Sequence, residues 1–171
     1  MDHDSPAEQP PTAPDAAHFA VWADFVLAHT RIMRLIERAL RADPGVTWSQ
    51  YDLLYNLMSA PEQTMTVGEI SASLLYSSGS TSNLITSMGK LGLVDRTTSQ
   101  SDRRVIQTSI TDAGRELFTR ATSVVLRISK DEFTDFLGAD EFVPVAAFMA
   151  RLRTRDSHLR HPPYDLPIDL G

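Results

Sequence analysis

Apolar residues in the first third of the chain return every third or fourth position. Phe19, Trp22, Val26, Met33, Ile36 and Leu40 form one stripe, interrupted by His29, with Phe25, Ile32 and Leu35 beside it. That period predicts a long amphipathic helix, and its apolar face is wider than a small monomer needs. Pro44 and Gly45 end the pattern, and Thr47 with Gln50 three residues on makes a capping box for a second helix carrying Tyr51, Leu54, Leu57 and Met58. Pro61 stops it. Thr66 and Glu69 form another box, opening a short helix with Val67, Ile70 and Leu74 inward. After the polar turn Ser77-Ser78-Gly79 comes a helix with Leu84, Ile85, Met88 and Leu91 on one side, closed by Gly92, which suits a left-handed C-cap.

The period then changes. Residues 93–97 and 105–110 are short β-branched runs, the second with Ile106, Thr108 and Ile110 on one face and Gln107 and Ser109 on the other, so the two predict a hairpin. Thr111 is an N-cap with Asp112 in the first turn of a long helix marked by Leu117, Ala121, Val124 and Ile128 and broken at Gly138. Asp140 is the expected cap of a last helix with Phe142, Val145, Met149 and Leu152 inward. The fold class is mainly α: a winged helix-turn-helix with a two-stranded β wing and long N- and C-terminal helices that dimerise. Residues 16–156 read as one domain, with a winged-helix core at 47–115 flanked by dimerisation helices at 16–46 and 116–156. Four prolines in residues 1–15 predict a disordered acidic tail, and 157–171 an irregular one.

The 171-residue chain is long enough for one real core. No apolar run approaches the roughly 18 residues of a bilayer span, and the N-terminus lacks the basic and apolar regions of a secretory signal. A cytoplasmic protein without membrane contact is expected. There is no cysteine, so disulfides, zinc ribbons, thiolate catalysis and thiol redox sensing are excluded. The net charge of −6 argues against a polyanion as partner. Its distribution softens this, because residues 1–15 hold four acidic and no basic side chains whereas 64–115 hold five basic and four acidic.

In a winged helix the second helix of the motif enters the major groove of DNA and the hairpin reaches an adjacent groove or the backbone. Ser77, Ser78, Ser80, Thr81, Ser82, Asn83 and Thr86 crowd the candidate recognition helix with small hydrogen-bonding side chains. These are mediocre helix formers, and a merely solvated face would favour Glu, Lys and Arg. Ser80, Thr81 and Asn83 are the base-edge candidates, since Asn can read adenine bidentately. At the hairpin tip, Arg103 and Arg104 follow Asp102. Arg suits a narrow, strongly negative minor groove, and a carboxylate beside it can orient the guanidinium; Asp102 would orient Arg104 and leave Arg103 for a phosphate. A solvated loop is the plainer account of an isolated Asp-Arg-Arg.

The stretches TVGEISASL, SGSTSNLITSMGKLGLVDR and SDRRVIQTSITDAGREL together resemble the winged helix of the MarR (multiple antibiotic resistance regulator) family of bacterial transcription factors. The resemblance rests on Leu91-Gly92-Leu93-Val94-x-Arg96, on Asp102-Arg103-Arg104 and on Thr111-x-x-Gly114, and it extends over about residues 17–155. It implies a homodimer built by the first, fifth and sixth helices, double-stranded DNA as partner, a pseudopalindromic operator and a ligand-responsive repressor. Ser87-Met88-Gly89 departs from the Arg-Leu-Glu usual there, which removes a basic position from the recognition helix and implies a shallower salt dependence. Gly68 is another departure inside the first helix of the motif.

The same resemblance implies a small aromatic acid or phenol as effector, with Trp22, His29, Trp48, Tyr51 and Tyr55 as candidate lining. A core or interface role is the plainer account of His29 and of the aromatics. His158 and His161 near Asp156 and Asp165 match no closed metal site. No nucleophile elbow, P-loop or dinucleotide fingerprint occurs, so no cofactor and no enzymatic activity are expected. The rival readings are a winged-helix protein-interaction module without DNA binding and a small Ser/His hydrolase.

Overall fold

The computed structural model describes residues 13–74, 76–98 and 106–154. The order is α1 (Ala13–Ala42), α2 (Trp48–Ser59), β1 (Thr64–Thr66), α3 (Val67–Leu74), α4 (Ser78–Lys90), β2 (Val94–Thr98), β3 (Ile106–Ile110), α5 (Asp112–Glu132) and α6 (Phe142–Thr154), with single 3-10 turns at Pro61–Gln63 and Thr134–Phe136. The mainly helical winged-helix fold matches the expectation. One strand is new. β1 pairs antiparallel with β3, Thr64 opposite Ser109 and Thr66 opposite Gln107, so the expected two-stranded wing stands in a three-stranded sheet of order β1-β3-β2.

Local chemistry sets most of the boundaries. The Thr47–Gln50 box closes in both directions at the start of α2. Thr66 and Glu69 do the same for α3: the Thr66 N–H donates to the Glu69 carboxylate at 2.7 Å, and the Glu69 N–H to the Thr66 hydroxyl at 3.3 Å. Three boundaries depart from the sequence reading. α1 starts at Ala13, taking in Pro14 and Asp15, because proline is tolerated in a first helical turn where its missing N–H has no partner anyway. α5 ends at Glu132, six residues before Gly138, and the chain tightens into a 3-10 turn. Asp140 does not cap α6; the Glu141 carboxylate accepts from the Gly138 N–H at 2.8 Å instead.

The core lies where α2 crosses α5 and the C-terminal half of α1. Leu53, Leu54 and Leu57 are fully buried with Leu40, Ile70, Ile85 and Met88. Tyr51 stacks on Phe118 with ring centroids 5.8 Å apart and 9° between planes. α6 departs from expectation: Phe142 and Leu152 are exposed, and Val145 and Met149 only half-buried, because no element among the described residues covers them. The N-terminal half of α1 is equally bare, with Phe19, Trp22 and Leu27 all more than half exposed. Among the described residues no helix is long and apolar enough to cross a membrane.

Candidate nucleic-acid interface

Ser77 caps α4 in an extended conformation, and its hydroxyl accepts from the Ser80 N–H at 3.3 Å. The two hydroxyls lie 3.0 Å apart, so Ser80 is drawn into the cap. From there the helix divides by its period. Thr81, Ile85 and Met88 form the buried stripe; Ser78, Gly79, Ser80, Asn83, Thr86 and Ser87 are exposed, with Ser82 half-buried. Asn83, Thr86 and Ser87 therefore share an outward face with Lys90 at the end of the helix.

Thr81 is a correction. It is fully buried, and its Oγ1 has no partner among the described residues. A side chain beneath the helix cannot reach a base edge. Its spacing of four and seven residues from Ile85 and Met88 carried that signal; its polar type concealed it.

β2 and β3 pair from Val94 opposite Ile110 out to Thr98 opposite Ile106, so a ladder runs the whole length of both strands beside α4. Asp102, Arg103 and Arg104, the wing candidates, lie outside the described residues. In the sequence Arg96 stands out only as part of the family pattern. It stands exposed on β2 and its Nη1 donates to the Thr86 hydroxyl at 3.3 Å, joining the wing to the outer face of α4. At the other end of the motif the exposed Tyr76 hydroxyl lies 2.8 Å from the Ser49 hydroxyl, tying the α3–α4 turn to the start of α2.

The candidate ligand residues separate. His29 and Trp48 line one open surface groove of about 640 Å³, whose remaining lining is Thr30, Met33, Arg34, Glu37, Arg38 and Arg41, all on one side of α1. Glu37 is occupied there. One carboxylate oxygen accepts from the Trp48 N–H at 2.6 Å and the other pairs with Arg41 at 2.7 Å. Trp22, Tyr51 and Tyr55 do not line the groove. Trp22 sits exposed two turns before it, whereas Tyr51 and Tyr55 are buried against Phe118. His158, His161, Asp156 and Asp165 lie outside the described residues.

No curated protein matches the chain. A family model described as MarR family matches residues 45–105. Among solved structures, the DNA complex of Sco3205, a MarR family transcriptional regulator from Streptomyces coelicolor, superposes with a TM-score of 0.73 at 22% identity, covering 86% of this chain and 91% of that one. AbsC, a second MarR family regulator from Streptomyces coelicolor, gives 0.75 at 20% identity over 86% and 97%. The organohalide-sensing RdhR-CbdbA1625 regulator in its 2,4-dichlorophenol-bound form gives 0.68 at 18% identity, over 92% of both chains. The resemblance read from the sequence holds: residues 45–105 match the MarR family, and the chain has the winged-helix fold of MarR family regulators.

Proposed function

We propose that this chain is a DNA-binding transcriptional regulator of the cytoplasm, acting as a homodimer on a pseudopalindromic operator and functioning as a ligand-responsive repressor. The observation that carries the reading is the outward face of α4, where Ser78, Ser80, Asn83 and Thr86 stand exposed beside a paired wing. Short hydrogen-bonding side chains let a helix approach base edges and phosphates closely, and helix N-terminal N–H groups favour phosphate. The described structure of Sco3205 with DNA supports the same use of the fold. Residues 47–115 would bind DNA, with 16–46 and 116–156 holding the two chains together. Asp102, Arg103 and Arg104 would serve the wing.

The effector would sit in the groove between α1 and Trp48. Met33, Trp48 and the aliphatic stems of Arg34 and Arg38 make the lining of that groove largely apolar, which suits an aromatic ring, and the nearby guanidiniums would favour an acid or phenolate on it. Binding there would change the spacing of the two recognition helices, which must match about one turn of DNA or a multiple of it.

The test is selection of binding fragments from random DNA, followed by anisotropy titration of the enriched duplex. Enrichment of a sequence with two-fold symmetry is expected, and 2,4-dichlorophenol or benzoate should lower its affinity. No enrichment, with no retention on heparin, would support the rival reading of a protein-interaction module, which the net charge of −6 favours.

A further inference from the structure

The exposed face of α4 is short of charge: from Ser78 to Gly89 the helix has no Lys or Arg, and Lys90 is its last residue. Hydroxyls and N–H groups can position a phosphate, but they release no counterions. The charge is supplied by the neighbouring strand. Arg96 lies opposite Thr108 in the β2–β3 ladder, and residues directly opposite in an antiparallel pair project from the same face. Thr108 is fully buried, so that face is turned toward the helices. The Arg96 stem starts there, and the guanidinium emerges at the outer side of α4, where it donates to Thr86 at 3.3 Å. Asp95, its neighbour, projects from the opposite face of the strand. The ion pairs among the described residues are Arg31–Glu132, Arg41–Glu37, Arg115–Asp112 and Lys130–Asp135, and none involves Arg96.

We infer that Arg96, positioned by the Thr86 hydroxyl, contacts a DNA phosphate at the rim of the groove that α4 enters, supplying the charge α4 itself lacks. This role rests on the DNA-binding reading above. A guanidinium has five N–H donors, so one bond to Thr86 fixes its direction and leaves the others for a phosphate. A helix about 10–12 Å across fills a major groove about 12 Å wide, so a group held at the side of the helix meets the groove wall, which is phosphate.

The experiment titrates the full chain against its selected duplex and an unrelated duplex, across salt from about 0.05 to about 0.2 M. Arg96→Ala should weaken both complexes by roughly tenfold and lower the salt slope by about one per bound chain. Arg96→Lys should restore the slope. Thr86→Val should weaken binding while keeping the slope, because it removes the positioning bond and leaves the charge. A thermal melt of Arg96→Ala matching wild type confirms that the fold is intact, as expected for an exposed side chain. An unchanged slope in Arg96→Ala overturns the inference, and so does a loss confined to the selected duplex, which assigns Arg96 to a base. A wild-type chain that binds neither duplex overturns the regulator reading itself.

Discussion

The Thr111 hydroxyl donates to the Gly92 carbonyl at 2.7 Å and accepts from the Gly114 N–H at 3.0 Å. One side chain thus caps α5 and holds the turn that leaves α4, and the Thr111 N–H adds a backbone bond to the Leu93 carbonyl at 3.2 Å. The turn after α4 and the start of α5 are joined at a single residue. Thr111→Ala should cost about 1–2 kcal/mol, the range for a lost N-cap. In a chain of this size each kcal/mol is worth about 2–4 °C in Tm. Thr111→Ser should recover most of the loss. A melt of Thr111→Ala that coincides with wild type would show the bonds to be replaceable by water.

Gly114 is required by close approach. A Cβ built there would lie 2.2 Å from the Leu93 carbonyl oxygen and 2.7 Å from Cγ1 of Ile110. The first contact is backbone, so it cannot be relieved by a rotamer. Gly114→Ala should push α5 off the α4–β2 turn and destabilise the chain by about 3 kcal/mol or more. Urea unfolding measures this directly. Gly79→Ala is the control, because nothing lies within 4 Å of a Cβ there. Equal midpoints for the two variants would contradict the packing argument.

Features that act within a few residues were legible in the sequence: both capping boxes, the Thr111 cap, and the Gly92 turn, whose φ of +70° needs glycine. Long-range features were not. β1 is three residues without a recognisable alternation, and only its distant partner β3 makes it a strand. Thr81 has the residue type of a polar surface, yet its period sets it with Ile85 and Met88 in the buried stripe. Tyr51 and Tyr55 have the composition of a pocket wall, yet Phe118 in α5 turns them into core. Arg31 and Glu132 form an ion pair across 101 positions, beyond any local pattern. The Arg96–Thr86 bond is intermediate: both residues lie in the recognised motif, but only the turn at Gly92 brings them together.

Lys130 donates to both carboxylate oxygens of Asp135, at 2.8 and 2.7 Å, tying the end of α5 to the following 3-10 turn. The hydrogen bond and then the charge of Asp135 raise the ammonium pKa above its ordinary 10.5. A pKa raised by folding adds stability that is fully present below the unfolded value and is lost as pH rises through the folded value. Wild type should therefore melt slightly above Lys130→Met at about pH 8 and lose that advantage progressively as pH rises past 10.5, the size being small because the pair is in water. An advantage that grows with alkalinity would refute the assignment.

The last expectation concerns the two bare helix faces. On α1, Phe19, Trp22, Phe25, Val26 and Leu27 are exposed, and on α6 Phe142, Val143, Phe148 and Leu152. Among the described side chains α1 has no buried residue before Ile36, and a helical arm of that length is marginal in water unless its apolar face is covered. Two elements far apart in the sequence, both uncovered by the other described residues, suit a two-fold interface in which the same surfaces meet their copies. Light scattering at micromolar concentration should give twice the chain mass, and Tm should rise with protein concentration as mass action requires. Trp22→Glu with Phe25→Glu should abolish both effects. Ile36, Leu40 and the α2–α5 core lie away from these positions, so the winged helix should still unfold cooperatively, now at a Tm independent of concentration. DNA affinity should fall steeply in that variant, since a lone half-site contact loses the gain of simultaneous binding. A wild-type chain that scatters as a monomer while keeping its full helical signal would sink the dimer, and with it the two-half-site operator.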